Sequence, residues 1–168
     1  FIQQNKNKQV TTKDFQWAVE SVSGNKLDWF FNQWVYKTGH PVFEVTKLYD
    51  SRKKQLRLQL KQIQKTDSAA GYPQVDYFRG KMEIAIDNKI HTVWIEPKEE
   101  NEFSFSLAME PKLIQADFQS YWIKEINFKK STPELLHQLL NDNDILGRQQ
   151  AMTELAQKAK DTSTGIDD

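Results

Sequence analysis

The sequence predicts a mainly β protein, an antiparallel β-sandwich of about seven strands that is preceded by one helix pair and followed by another. Three observations support this fold class. Apolar residues recur with a helical period before residue 40, alternate with a period of two from 42 to 128, and return to a helical period after 129. Pro41 separates the first two regions, because proline cannot continue a helix.

The first predicted helix begins at a Thr11 or Thr12 cap and ends at Gly24. Asp14 follows Thr11 by three residues, as in a capping box. The apolar positions of this helix are Phe15, Ala18, Val19 and Val22.

The second predicted helix uses Asn25 as its cap and closes at Lys37 and Gly39. Its apolar positions carry unusually large side chains. A short helix pair cannot bury such a stripe by itself, so we expect the pair to be the edge of a neighbouring helical domain. These apolar positions are Leu27, Phe30, Phe31, Trp34 and Val35.

The strands are predicted from alternation and from the turns between them. KQLRLQLKQIQ places Leu56, Leu58 and Leu60 on one face, and Ile63 is out of phase with them, which predicts a β-bulge near Lys61 and Gln62. Further alternating segments put Phe78, Met82, Ile84 and Ile86 on one face, and Phe103, Phe105 and Leu107 on another. Asp87 and Asn88 suit a hairpin turn. The remaining segments are one after Pro41, IHTVWIE, Leu113 to Ala116 and Tyr121 to Phe128, and 66–74 is the longest loop.

The C-terminal region predicts a second helix pair. Ser131 or Thr132 caps the first of these helices, Pro133 suits its first turn and Glu134 strengthens its start. ILGRQQAMTELAQKAK predicts the next helix, and the polar DTSTGIDD predicts a disordered tail. The apolar positions of the two helices are Leu135, Leu136, Leu139, Leu140, Ile145, Ala151, Met152, Leu155 and Ala159.

Composition excludes several classes of function. The chain has 168 residues, and 23 basic residues balance 23 acidic ones, so no overall field attracts nucleic acid and we expect no nucleic-acid partner. No apolar run approaches the roughly 20 residues that cross a bilayer, and we expect no membrane segment. The absence of cysteine excludes disulfides and cysteine-based zinc sites, and it leaves the compartment open between bacterial cytoplasm and periplasm. FIQQNKNKQ resembles no signal peptide, so we expect an excised piece or a processed product.

Few side chains in the sequence suggest a metal-binding or ligand-binding role. None of the three histidines has metal-ligand spacing. We expect His137 on a helix surface, His91 in cross-strand packing, and His40 near the last carbonyls of the second helix. Trp94 and Trp122 lie on predicted strands, where exposed rings can bind sugars, but filling the sandwich core or a domain interface is the ordinary role of such residues.

Residues 11–45 resemble the junction at which the catalytic domain passes into a β-sandwich in zinc aminopeptidases of the aminopeptidase N family, the large gluzincins. The resemblance continues through Gln62 and Gln64 in a sandwich strand, Pro111 and Asp117 in a later strand pair, and Arg148 and Ala151 at the start of a helical solenoid. The matching residues of the junction are Asp14, Phe15, Ser23, Gly24, Leu27, Phe30, Phe31, Gln33, Trp34, Val35, Gly39, Pro41 and Val42.

The resemblance implies three domains and a tail. Residues 1–40 would be the last helices of the catalytic domain, 41–129 the β-sandwich, 130–160 the first helices of a HEAT-like solenoid, and 161–168 a disordered tail. The partners would then be the upstream catalytic domain and the downstream helical domain of the same chain, with peptides as the substrate of the parent. Five residues would pack between domains: Leu27, Phe30, Phe31, Trp34 and Pro41.

The zinc-binding parts of this family are absent from the sequence. There is no HExxH helix and no GxMEN motif, so no catalytic, cofactor-binding or metal-binding residue can be assigned here, and zinc is implied for the parent alone. The implied role is non-catalytic, linking the catalytic domain to helices that restrict access to the active site. Two alternatives remain open: a scaffold from a family member that has lost catalysis, and an independent sandwich that binds glycans or protein.

Overall fold

The structure is a computed structural model, which describes residues 1–87 and 89–163, with only the backbone of 162 and 163. Two compact units form, one from Phe1–Gly39 with Lys65–Asp76, the other from His40–Gln64 with the chain from Tyr77 onward. The elements, in chain order, are α1 (Thr12–Ser23), α2 (Asp28–Trp34), β1 (Val42–Asp50), β2 (Gln55–Gln62), β3 (Gly80–Ile86), β4 (Lys89–Ile95), β5 (Glu100–Ser106), β6 (Ile114–Ala116), β7 (Glu125–Phe128), α3 (Thr132–Asn141) and α4 (Ile145–Ser163).

In the first unit, α1 begins and ends as predicted. The Thr11 hydroxyl accepts a hydrogen bond from the Asp14 N–H, and the Asp14 carboxylate accepts one from the Thr11 N–H, which confirms the capping box. Gly24 ends the helix in the left-handed conformation at φ 68°, which favours glycine.

Helix α2 is shorter than predicted. It spans seven residues and begins after Leu27 without a side-chain cap, so the prediction of Asn25 as the cap was wrong. Asn25 instead donates its side-chain amide to the carbonyl of Ser23. The helix ends at Trp34, before the predicted closure at Lys37 and Gly39.

The second unit contains a small β-sandwich, as predicted, with seven strands in two sheets. One sheet has the order β5-β2-β1-β7 and the other β4-β3-β6. All pairs are antiparallel except β1 with β7, which run parallel from Val42 opposite Glu125 to Val45 opposite Phe128. Apolar side chains of both sheets form one core: Phe43, Val45, Leu56, Leu58, Leu60, Met82, Ile84, Ile86, Ile95 and Ile114.

The predicted bulge in the second strand is wrong. The register of β2 with β1 is continuous from Gln55 opposite Asp50 to Gln62 opposite Phe43. Alternation continues with a polar side chain in the inward position after Leu60, so Gln62 is buried and Ile63 faces outward. The sequence pattern was misleading because a buried glutamine takes the place of an apolar residue.

Two strand boundaries differ from the prediction as well. Strand β7 begins at Glu125 rather than near Tyr121, because residues 117–120 form a tight turn in which Asp117, Gln119 and Ser120 have positive φ. The β3–β4 hairpin pairs Ile86 with Lys89 around Asp87, while Asn88, the other predicted turn residue, lies outside the described residues.

Helices α3 and α4 pack on each other and belong to the same unit as the sandwich. Ser131 caps α3 by accepting from the Glu134 N–H, and Pro133 lies in the first turn. Helix α4 extends to Ser163, three residues into the predicted tail, and 164–168 lie outside the described residues.

Candidate functional site

The five residues predicted to pack between domains differ in burial. Phe31 is almost fully buried at 3% exposure, whereas Phe30 remains 41% exposed. Leu27 and Trp34 are half-buried. Pro41 is buried, and it belongs to the sandwich unit rather than to the helical one. That these residues pack between domains stays a prediction.

Aromatic rings are in sequential edge-to-face contact within the helical unit. Phe15 contacts Phe1 at 5.4 Å and Phe31 at 6.2 Å between ring centroids, and Phe30 contacts both Phe31 and Trp29 at 5.8 Å. Edge-to-face geometry is favourable for such pairs. The large apolar side chains of the first helix therefore meet those of the second.

Much of the apolar surface of this unit remains exposed. Val22, one of the predicted apolar positions of α1, is 90% exposed. We call the exposed set the helical apolar surface; it comprises Phe15, Trp17, Val22, Phe30, Val35 and Tyr36. A concentration of this kind on a small unit is typical of a surface that another segment covers.

A carboxylate that the sequence pattern did not single out connects the two N-terminal helices. Glu20 accepts hydrogen bonds through Oε1 from the Leu27 N–H at 2.8 Å and from Gln16 Nε2 at 3.0 Å. Gln16 also donates to Asp28 Oδ1 at 2.8 Å. The bond from the Leu27 N–H is the main cause that lowers the pKa of Glu20. Glu20 thus satisfies the start of α2, the role predicted for Asn25.

Gln62 and Gln64 have a structural role in the sandwich. Gln62 donates to the Phe78 carbonyl and accepts from the Phe78 N–H, each at 2.8 Å. Gln64 donates to Gln62 Oε1 and accepts from the Val42 N–H. The two glutamines therefore link the start of β1 and the end of β2 to Phe78, which lies before β3 and outside the strands.

A second set of polar contacts joins the sandwich to the C-terminal helices; we call it the polar joint. Glu134, at the start of α3, accepts from the Ile114 N–H of β6 and forms an ion pair with Lys47 of β1. The side chain of Glu134 is only 6% exposed. One carboxylate therefore connects α3 to both sheets.

The polar joint also includes the turn between α3 and α4. Asp142 Oδ2 accepts from Gln115 Nε2 of β6 at 2.6 Å and from Gln138 Nε2 at 3.3 Å. Its other oxygen accepts from the Asp144 N–H at 2.9 Å. Gly147 of α4 lies directly against this group, where a Cβ would be 2.2 Å from Asp142 Oδ2. Buried polar side chains thus connect these helices to the sandwich.

The histidines have structural contacts. His40 Nε2 lies 2.8 Å from Glu125 Oε1, rather than at the helix carbonyls that we expected. His91 packs edge-on against Phe105 with centroids 4.8 Å apart, and desolvation lowers its pKa. His137 contacts Asn141 on the surface of α3. Among the described residues, no group of three or more His, Asp and Glu side chains is placed to hold a metal ion.

Of the two tryptophans predicted on strands, Trp94 lies on one, whereas Trp122 lies in the segment before β7. Trp122 packs on Phe43 with centroids 5.7 Å apart and donates its indole N–H to the Lys81 carbonyl at 2.7 Å. Trp94 lies on β4 and is partly exposed. The ordinary core role therefore describes Trp122. Within residues 1–87 and 89–163, no helix is long and apolar enough to cross a membrane.

Comparisons with known proteins show what this chain is similar to. No protein-family model matches. The crystal structure of Legionella pneumophila aminopeptidase A in complex with aspartic acid is similar in fold, with a TM-score of 0.75 and 20% identity. The similarity covers 99% of this chain and 19% of that chain. The fold is therefore aminopeptidase-like, and it corresponds to about a fifth of the enzyme.

A sequence comparison finds a different protein. Subunit 2 of the transcription initiation factor TFIID of Saccharomyces cerevisiae is 33% identical over 85 residues, which are 51% of this chain and 6% of the subunit. The chain thus spans a small part of both proteins.

Proposed function

We propose that this chain is a non-catalytic structural segment of a zinc-dependent aminopeptidase of the aminopeptidase N family. In this role the sandwich links the catalytic domain to the C-terminal helices, which restrict access to the active site, and the parent releases N-terminal amino acids from peptides. The single observation that carries the proposal is the fold similarity over 99% of this chain to a segment of an aminopeptidase.

The proposal places zinc outside this chain. A catalytic zinc site needs three protein ligands and an open position. The described residues supply no such ligand group, and the sequence contains no HExxH motif. The described residues therefore do not fit the metal, and we derive no step of a zinc reaction from them.

The polar joint supports the linking role. Its contacts come from β1, β6, α3 and the turn before α4, so they fix the C-terminal helices at two separate points of the sandwich. The helical apolar surface supports the proposed link to the catalytic domain. In the full protein, the rest of the catalytic domain would cover it.

The experiment is hydrolysis of fluorogenic aminoacyl substrates by the full-length protein, with and without a metal chelator. The isolated 168-residue chain is the matched control. We expect chelator-sensitive hydrolysis by the full-length protein and none by the isolated chain. Hydrolysis by the isolated chain would contradict the assignment of a non-catalytic role.

A second candidate is a scaffold that belongs to a catalytically inactive relative of these enzymes. The 33% identity to the TFIID subunit over 85 residues favours it. A folded full-length protein that binds no zinc and hydrolyses no aminoacyl substrate would support the scaffold. The third alternative, a glycan-binding module, predicts glycan affinity that is lost on Trp94→Ala, with Trp17→Ala as the control outside the sandwich.

A further inference from the structure

Strand β1 has a neighbouring strand along its whole length on one side only. Its pairing with β2 continues from Phe43 to Asp50, whereas its pairing with β7 ends at Val45. Beyond that point the chain leaves the sheet and enters α3. Within the described part of the chain, residues 46–50 of β1 therefore form a free edge of the four-stranded sheet, and we call this segment the β1 edge.

Hydrogen bonds at the start of β1 show which peptide groups face this edge. The Val42 carbonyl accepts from the Ile63 N–H on the β2 side, whereas the Pro41 carbonyl bonds to the first residue of β7. In a strand, the N–H and C=O of successive residues point to opposite sides. The N–H and C=O of Lys47 and Tyr49 therefore point out of the β1 edge, and no described residue forms a backbone hydrogen bond with them there.

A groove includes the start of the β1 edge. Its volume is about 990 Å³, and its walls come from β1, from the segment before β6, from the end of β7 and from the first turns of α3. Sites that bind small ligands have volumes of roughly 300–1,000 Å³, so this groove is large enough for a short stretch of peptide. Thr46, Lys47 and Leu48 are all exposed, and another chain can therefore reach the edge.

The edge lacks the features that ordinarily stop one strand from adding to another. Such edges are blocked by proline, by a bulge or by a charge that points inward. Residues 46–50 contain no proline, and the register of β1 with β2 is continuous. The inward charge belongs to Lys47, but its ammonium forms an ion pair with the buried Glu134. Leu48, which is 61% exposed, adds apolar surface to the solvent side of the edge.

The charges around the groove favour a polypeptide as the partner. Lys112 and Lys129 are exposed in its lining, and so are Glu44 and Glu110. None of these four forms an ion pair with another described residue. A nucleic acid would be repelled by the two carboxylates, whereas a peptide can supply side chains of both signs. Only an extended main chain also matches the alternating donors and acceptors of the β1 edge.

We propose that the β1 edge binds an extended peptide segment of another protein, which adds to the four-stranded sheet as a strand in line with β7. The main chain of this segment bonds to the N–H and C=O of Lys47 and Tyr49, and one of its apolar side chains covers Leu48. The inference is independent of the proposed function, because it needs neither zinc nor a catalytic domain.

The probe is a displayed library of random heptapeptides, from which binders of the full-length protein are selected. Each binder is then synthesised with an acetylated N-terminus, so that a site that takes free N-termini does not bind it. We expect N-methylation of every second peptide N–H to weaken binding at least tenfold, because the methyl removes a donor and adds bulk at the edge. Methylation of the intervening N–H groups should have little effect, since these point away from β1. A selection without binders, or methyl effects without this alternation, would overturn the proposal.

Substitution and hydrogen exchange locate the binding site. Leu48→Asp should weaken peptide binding about tenfold, because the peptide loses its apolar contact, whereas Ile90→Asp, at an exposed apolar position of β4, should leave it unchanged. In the unsubstituted protein, bound peptide should protect the amides of Lys47 and Tyr49 from exchange. The Thr46 amide faces β2 and should not change. The exchange pattern decides the question if Leu48→Asp does not fold. Binding that leaves the exchange of the β1 edge unchanged belongs to another surface and would also overturn the proposal.

Discussion

At the scale of single residues, Gln62 is notable because it is a polar side chain at a buried position of the sandwich. It is 2% exposed in the sandwich core, and it bonds both peptide groups of Phe78 as a neighbouring strand would. A buried polar side chain is tolerated when its hydrogen bonds are satisfied. Removing it lowers the stability of the fold, because its buried partners lose their hydrogen bonds.

The substitution Gln62→Met keeps the volume and removes these bonds. We expect it to lower the free energy of unfolding by about 2–4 kcal/mol, since each buried hydrogen bond left unmade costs about 1–3 kcal/mol. Denaturant unfolding measures the change. Gln59→Met, on the solvent side of the same strand, should change stability by less than about 0.5 kcal/mol. Equal effects at both positions would show that Gln62 contributes no more than an ordinary surface residue.

Gly147 shows the opposite case, in which a small residue is required by close approach. A Cβ there would lie 2.2 Å from Asp142 Oδ2 and 2.8 Å from Gln115 Nε2. Alanine favours a helix over glycine by about 1 kcal/mol, so propensity alone predicts stabilisation. The steric clash of the added Cβ should outweigh this gain in helix propensity, because the polar groups that the Cβ would meet are buried and bonded to each other.

We therefore expect Gly147→Ala to destabilise the chain by about 1–3 kcal/mol, the usual cost of overpacking. Thermal unfolding measures it. Gly71→Ala is the control, since a Cβ at Gly71 has no atom within 4 Å. A rise in melting temperature for Gly147→Ala would show that α4 moves aside at little cost.

At the scale of elements, the sequence predicted well wherever local pattern decides the structure. The capping box at Thr11, the end of α1 at Gly24 and the seven strands follow from residue type and period, which are properties of short segments. The buried core faces of β2 and β3 follow in the same way, because alternation places every second side chain inward.

The predictions failed where a hydrogen bond or an ion pair comes from a residue that is distant in the sequence. Asn25 is an adequate cap by type, but Glu20, seven residues before Leu27, supplies the hydrogen bond. Gln62 fits no apolar pattern because its partner is 16 residues away. Glu134 was predicted only as a helix starter, whereas its ion pair reaches Lys47. Patterns along a chain contain no information about such pairs.

The ion pair between β1 and α3 gives a test at this scale. Lys47→Met would leave the buried carboxylate of Glu134 without its cation, and breaking a buried pair from one side costs about 3–5 kcal/mol. Because Lys47 is itself partly exposed, we expect the lower end, about 3 kcal/mol. Lys53→Met, at an exposed lysine between β1 and β2, is the matched control.

The double variant Lys47→Met with Glu134→Gln separates pairing from packing. If the pair acts as described, the second change should recover part of the loss, since no uncompensated charge remains. Hydrogen exchange of the α3 amides shows whether the helix has loosened from the sandwich. Strictly additive losses would mean that the two side chains act independently.

At the scale of the whole molecule, the exposure of the helical apolar surface is the feature that contacts within this chain explain least. Trp17 is 62% exposed, and Val22 is almost fully exposed. Exposed apolar side chains in this number favour association when nothing covers them. The proposed function assigns their cover to the rest of a catalytic domain.

The isolated 168-residue chain should therefore self-associate at concentrations at which the full-length protein does not. Replacing both Trp17 and Val22 with Gln should weaken this association at least tenfold, because burying one large apolar side chain is worth about 1.5–3 kcal/mol. Sedimentation velocity over a concentration series measures it. Leu48→Gln, at an apolar position on β1 that is about as exposed as Trp17, should have no such effect. If the Leu48 variant weakens association and the Trp17 and Val22 variant does not, the self-association surface lies on the sandwich. The role proposed for the N-terminal helices would then have to be abandoned.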